Sequence, residues 1–279
     1  MSANAGNSRS KVGACSWSLG VGGPDALVEA LQDIGVDALQ LHLDPLRVGA
    51  WSEAETIRVL AREDIVLRSG MMSMEGEDYS SLDSIRRTGG VRPQSTWATN
   101  REAALANAKL ARRLGLDLVT FHGGFLPHER ADPERKILLE RLREIADIFG
   151  AEGVRVGLET GQESAATLLE VLADLAHPTL GVNFDPANMI LYGMGDPIAA
   201  LRELAPHVLQ VHIKDAKPAS SAGQWGEEVC VGTGAVDWRA FFGVLREQHV
   251  DVDCMIEREA GSQRIEDMTA ARVLVEQLA

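Results

Sequence analysis

Short apolar, β-branched runs alternate with amphipathic segments eight times along this chain, and that alternation limits the fold more than any other property. The strand-like runs are VGACSWSL, ALQLHL, IVLRSGMMS, LDLVTFHGG, VRVGLET, TLGVNFD, VLQVHIKDA and residues 251–259. Helical segments follow each of them, several with stop or start signals. Pro24 opens and Gly35 closes the first, Ser52 and Asp132 are N-cap candidates, and Asp196 precedes Pro197 at the start of another. Strict strand–helix alternation implies a parallel sheet with helices outside. Eight units in 279 residues suit a closed barrel, which typically takes about 250. An open doubly wound sheet would call for a glycine-rich phosphate loop after the first strand, and SLGVGGPD is not GxGxxG. The expected fold class is therefore α/β, a single (β/α)8 TIM barrel spanning residues 11–279. Residues 1–10 form a small, polar, disordered tail in this reading. A long irregular segment at 74–99, rich in Gly, Ser and charge, is expected to hang over the active face.

Four of the strands end on ionisable groups. RVGLETG delivers Glu159, LGVNFDPAN Asp185, VLQVHIKDA His212 and VDCMIERE Glu257. In a parallel barrel the C-terminal strand ends all open onto one cavity, so side chains about a hundred residues apart in sequence converge there. An unpaired charge interrupting an apolar strand costs several kcal/mol, on the order-of-magnitude scale, unless it is compensated. Each of the four has a plainer reading: a helix cap, a turn aspartate before Pro186, or a hydrogen-bonded core histidine. One divalent metal would compensate all four together. Three carboxylates and an imidazole suit octahedral Mn, Mg, Co or Fe better than a thiolate-rich zinc site, although Zn also binds such donors.

Charge and cysteine content narrow the function classes. A net charge of −14 and a pI near 4.9 disfavour a nucleic-acid partner, since an acidic surface repels phosphate backbones. Cys15, Cys230 and Cys254 are too few and scattered for a disulfide framework, and buried free thiols are expected in the strand-like runs. The N-terminus lacks the apolar core of a signal peptide, and no run approaches the roughly 20 apolar residues of a membrane span. A cytoplasmic protein with no membrane partner is the expectation.

RVGLETG, GVNFDPANM, VHIKDA, VGTGAVDW and MIERE, in this order, resemble the xylose-isomerase-like barrel superfamily of sugar isomerases and epimerases. The resemblance covers nearly the whole chain after Lys11. It implies a divalent metal, commonly manganese, bound by Glu159, Asp185, His212 and Glu257. It also implies that Glu159 and Glu257 act as the acid–base pair on a small polyhydroxylated carbonyl substrate. The implied chemistry is proton abstraction α to a carbonyl through an enediolate, with one carboxylate taking the proton and the other returning it. Elimination, as in the related inosose dehydratases, is the alternative on the same site. A metal nuclease of the endonuclease IV type or a non-catalytic sugar-binding barrel are further readings. Such barrels often form homo-oligomers. Substrate-binding candidates are His122, Asn188, Lys214 and Trp225, with Trp17 and Met72 as possible apolar wall. Asn188 stands where many ketose epimerases carry a His, and Lys214 and Lys217 are the nearest basic groups to the Arg those enzymes place past the strand-seven His. Arg258, adjacent to Glu257, should alternate away from it and form a structural ion pair.

Overall fold

A computed structural model of the chain describes residues 11–221 and 223–279, so the expectation for residues 1–10 lies outside the described residues. The strands are β1 (Val12–Cys15), β2 (Ala38–His42), β3 (Val66–Met71), β4 (Leu118–Phe121), β5 (Arg155–Glu159), β6 (Leu180–Phe184), β7 (Val208–Ile213), β8 (Asp215–Lys217), β9 (Glu227–Val229) and β10 (Asp253–Ile256). Eight of them close into one parallel barrel in the order β1-β10-β7-β6-β5-β4-β3-β2. The remaining two, β8 and β9, form an antiparallel pair in the loop after β7. The single (β/α)8 barrel expected from the alternation is the fold found. No helix among the described residues is long and apolar enough to cross a membrane.

The period of two along each strand sorts its side chains. Along β7 and just past it, Gln210, His212 and Lys214 form one alternating set and engage polar groups in the barrel and the site above it, while Val211 and Ile213 belong to the apolar core. The surrounding helices bury one stripe each against the barrel wall. On the first, Pro24–Ile34, those residues include Leu27, Leu31 and Ile34, and Gly35 ends it in the left-handed region at φ 83°. Phe121, Phe149, Phe184 and Phe241 are fully buried. Truncating one of them to Ala would cost about 3–5 kcal/mol. Gly13 sits where two strands approach, since a Cβ there would lie 2.5 Å from the Ala38 carbonyl oxygen.

Several boundaries differ from the sequence expectation. VGACSWSL is a strand only to Cys15; Ser16–Leu19 turns into a 3₁₀ helix. Segment 74–99 is not irregular throughout. It holds a helix at Leu82–Thr88, capped by the Ser81 hydroxyl, and from Gln94 it already belongs to a 20-residue helix, Gln94–Arg113. The first turns of that helix, QSTWATN, have weak intrinsic propensity, so tertiary contacts supply the order. The Arg141 guanidinium lies 5.0 Å from the Trp97 ring centre, and Asn100 accepts the Glu75 N–H at 2.6 Å. The helix after β5 starts at Ala165, where the Ser164 hydroxyl caps it. An additional helix, Pro186–Tyr192, follows β6 directly. Cys15 and Cys254 are buried free thiols, and Cys230 is partly buried. Arg258 does form structural ion pairs, with Glu228 and Asp267, both at 2.8 Å.

One buried carboxyl works against the fold. Glu163 is 5% exposed, and burial pushes its pKa up to about 8 from an ordinary value of 4.5. The native state therefore holds a proton that the unfolded chain releases, and stability falls as pH rises from about 4.5 to about 8. Glu163→Gln removes that loss. Expected at pH 7 is a gain of about 3 kcal/mol, shrinking toward zero near pH 4.5. Urea melts of both proteins across this range check it; parallel pH profiles would refute it.

Candidate metal centre

Four strand ends bring Glu159, Asp185, His212 and Glu257 together, with one ligand atom from each lying within 4.8 Å of all the others. All four are buried, Asp185 and His212 completely. His212 Nδ1 faces the three carboxylates, at 3.2 Å from Glu257 Oε2, 3.4 Å from Glu159 Oε1 and 3.8 Å from Asp185 Oδ2. Asp185 fills two roles. Its Oδ1 caps helix Pro186–Tyr192 by accepting the Asn188 N–H at 2.9 Å, and its Oδ2 is buried without a hydrogen-bond partner. The plainer reading of Asp185, a turn aspartate before Pro186, accounts for the capping oxygen and leaves the other without a hydrogen bond.

The two glutamates have different neighbours. Glu257 accepts from the Trp17 indole at 2.6 Å on Oε1 and from Lys214 Nζ at 3.1 Å on Oε2. Glu159 accepts from Asn188 Nδ2 at 2.9 Å on Oε1 and from Asn183 Nδ2 at 3.3 Å on Oε2. Burial opposes ionisation of both. For Glu257, Lys214 and His212 overcome it and hold the carboxyl well below the usual range. For Glu159, His122 and His212 do the same to a smaller extent. Asp185 has less help, and burial raises it to about 6. Burial also disfavours the His212 imidazolium, yet the charges around it, Glu159 foremost, hold its pKa well above 6.5.

These residues fit a divalent cation. Three carboxylates and one ammonium leave a net −2 when the imidazole is neutral, and the buried Asp185 Oδ2, 4.0 Å from Lys214 Nζ, makes no hydrogen bond, which leaves it available to a cation. Glu159, Asp185, His212 and Glu257 are the residues that could hold it.

Above the cluster lies a cavity of about 400 Å³. His122, Asn188, Lys214 and Trp225, the substrate-binding candidates, all line it, as do Trp17 and Met72. His122 Nε2 is 3.5 Å from Glu159 Oε1, and its Nδ1 is buried without a partner. Lys214 also holds Glu259 at 2.8 Å, whereas Lys217 is exposed and lies outside the cavity lining. The Trp225 ring packs edge-on against Tyr192, 4.9 Å between centres. Glu77, Tyr79, Glu228 and Glu259 also line the cavity and were not singled out from sequence. Glu259 carried a usable signal, being two residues past Glu257 and so on the same side of an extended chain. Glu77 and Tyr79 come from segment 74–99, where no periodicity marks individual residues.

Residues 28–276 match the family model of the xylose isomerase-like TIM barrel. The uncharacterized protein YihM of Escherichia coli K12 is 25% identical over 176 residues, which are 62% of this chain and 53% of that protein. The chain thus spans about half the length of this curated relative. Among solved structures, the xylose isomerase domain protein of Planctomyces limnophilus is 34% identical, with a TM-score of 0.84 over 90% of this chain and 91% of the other. The probable 3-DHS dehydratase AsbF of Bacillus anthracis, involved in petrobactin synthesis, is 21% identical, with a TM-score of 0.72 over 95% and 99% of the two chains. A D-allulose 3-epimerase from Methylomonas sp., in complex with D-allulose, is 14% identical, with a TM-score of 0.72 over 97% and 98%. The last two likenesses are of fold. A family match over nearly the whole length, on a closed parallel barrel with this four-residue cluster at its strand ends, places the chain in the xylose isomerase-like TIM barrel family.

Proposed function

We propose that the protein is a divalent-metal-dependent sugar isomerase or epimerase that moves a proton α to a carbonyl. The observation that carries this reading is the pair Glu159 and Glu257, buried in one four-residue cluster, lining the same cavity and held by different neighbours. A divalent cation held by Glu159, Asp185, His212 and Glu257, manganese in the first instance, would supply Lewis acidity toward the substrate's carbonyl oxygen. Glu159 and Glu257 do the proton work. Both are carboxylates at rest; one takes the proton from the substrate C–H, and the other, once protonated by a neighbouring acid, delivers one to the opposite face or the next carbon. His122, close to Glu159 and with its pKa raised despite burial by the Glu159 and Glu77 charges, is the proton source on that side. Trp17 and Lys214 fix the Glu257 carboxylate in place.

The same His122–Glu159 pair supports a second reading, elimination. A proton delivered to a β-hydroxyl instead of to carbon releases water. The likeness in fold to a dehydratase favours keeping it.

Cavity charge narrows the substrate. Glu77, Glu159, Glu228, Glu257 and Glu259 line it, and Lys214 is the sole lysine or arginine among the described lining residues. That lysine already holds two carboxylates. Even with Glu228 paired to Arg258 and a cation beside Glu159 and Glu257, the acidic groups outnumber the basic ones, so an uncharged polyhydroxylated ketone suits the cavity better than a phosphorylated one.

Solvent deuterium exchange tests the proposal. The manganese-loaded protein is incubated in D₂O with free ketoses, keto-inositols and their phosphorylated counterparts, and products are read by mass spectrometry. Expected is mass gain at one carbon of an unphosphorylated ketose, abolished by chelation and restored by manganese. Loss of water would select elimination. Absence of both across the panel, with metal bound, would refute the reading.

A further inference from the structure

Beneath the metal cluster the barrel is filled by a hydrogen-bonded polar layer rather than by branched apolar side chains. Gln40, Ser69, Thr120, Asn183 and Gln210, from five different strands, are at most 1% exposed. Interior layers of such barrels are usually Val, Ile and Leu, and a buried polar layer is stable only if its members satisfy one another. These do. Ser69 donates to Gln210 Oε1 at 2.5 Å, and Gln210 Nε2 donates to Gln40 Oε1 at 2.9 Å and Asn183 Oδ1 at 3.2 Å. Gln40 Nε2 donates to Thr120 Oγ1 at 2.8 Å and reaches the Gly70 carbonyl oxygen at 3.4 Å.

We infer that Gln40 is a positioning residue that sets the tautomer of His212 and so turns its Nδ1 lone pair toward the metal. The inference rests on the metal reading of the cluster above. A backbone carbonyl only accepts, so the Gln40 atom beside Gly70 is the amide nitrogen. The other atom is then the oxygen, and it lies 2.8 Å from His212 Nε2. An amide oxygen cannot donate, so Nε2 must carry the proton. In the neutral ring Nδ1 is left bare, and Nδ1 is the nitrogen that faces Glu159, Asp185 and Glu257. Asn183 does not compete for the role. Its Nδ2 lies 3.0 Å from Nε2 and 3.5 Å from Nδ1, close to both, so it sits against the ring rather than in line with one lone pair. Outer partners of ligating histidines raise ligand basicity and fix ring orientation, and losing one typically costs ~10–100-fold in metal affinity.

Two measurements on the full chain test this, neither of them turnover. Nitrogen-15 spectra of the histidine rings in the Mg²⁺-loaded protein should show one buried ring protonated at Nε2, with a slowly exchanging proton that is lost in Gln40→Leu. Titration calorimetry with Mg²⁺ should show Gln40→Leu binding ~10–100-fold more weakly. Gln40→Glu, which keeps an acceptor facing Nε2, should retain most of the affinity. Ser69→Ala removes a bond from the same layer without touching His212 and serves as the control for general loosening. A ring protonated at Nδ1 in the loaded protein, or Ser69→Ala costing as much as Gln40→Leu, would overturn the positioning role. Failure of the unaltered protein to bind Mg²⁺ or Mn²⁺ at all would instead overturn the metal reading on which it rests.

Discussion

Glu257→Gln should lower deuterium exchange and turnover by about a thousandfold or more, and Glu159→Gln should do the same. In each case the amide keeps the size and loses the proton acceptor. The variants should differ in their collateral effects. Glu257 Oε2 faces Lys214 at 3.1 Å and Oε1 faces the Trp17 N–H at 2.6 Å. Its amide can accept from only one of these donors, so Lys214 or Trp17 loses a partner. Glu159 faces the amide nitrogens of Asn188 and Asn183, whose oxygens already accept from Lys214 and Gln210. Glu159→Gln should lower the melting temperature of the metal-free protein less than Glu257→Gln does, because His122 and His212 hold its carboxyl less far below the usual range than Lys214 and His212 hold that of Glu257. Steady-state and single-turnover kinetics, together with calorimetry for residual metal binding, separate loss of the base from loss of a ligand. Full exchange in either variant would remove that glutamate from the acid–base pair.

Asp215→Ala should cost about 3–5 kcal/mol of stability, the largest such effect expected from one side chain next to the site. Asp215 is completely buried three residues past His212. Its Oδ1 accepts the N–H groups of Ala216 at 2.9 Å and Val236 at 3.2 Å. Its Oδ2 accepts Gly232 N–H at 2.9 Å, Gly234 N–H at 3.1 Å and the Trp238 indole at 3.1 Å. Deleting the carboxylate strands these donors without water. Asp215→Asn is not conservative here, because its NH₂ would point at N–H groups. Gly234 follows from the same contact: a Cβ there would lie 2.0 Å from Asp215 Oδ1. This carboxylate clamps VGTGAVDW against the end of β7, in the loop region that also carries Trp225 and Glu228 into the cavity. Denaturant unfolding measures the loss; a variant within about 0.5 kcal/mol of the parent would show that the clamp does not hold the loop.

Much of the architecture was legible because it repeats. Period-two runs alternating with period-3.6 helices, eight times over, leave few parallel arrangements, and closure brings the four polar strand ends to one cavity. Glu159, Asp185, His212 and Glu257 could be picked out because each breaks an apolar strand with a charge or an imidazole that needs a partner. Asn188 was legible as a polar group one helical turn past Asp185, although not that it would hold Glu159. The helix at Leu82–Thr88 and the early start at Gln94 were missed because their residues have no strong local preference and are ordered by contacts such as Trp97 with Arg141.

By itself the sequence determined the barrel, its direction and the four inward-facing donors, since these depend on patterns between neighbours in the chain. Only the tertiary structure decided how each donor is used. The pairing of Lys214 with Glu257 and Glu259, of Trp17 with Glu257, of Gln40 with His212, and of Asp215 with a loop up to 23 residues away joins side chains from different elements. Nothing in one strand's own pattern carries that information, because a hydrogen bond across a barrel depends on register and closure rather than on local order.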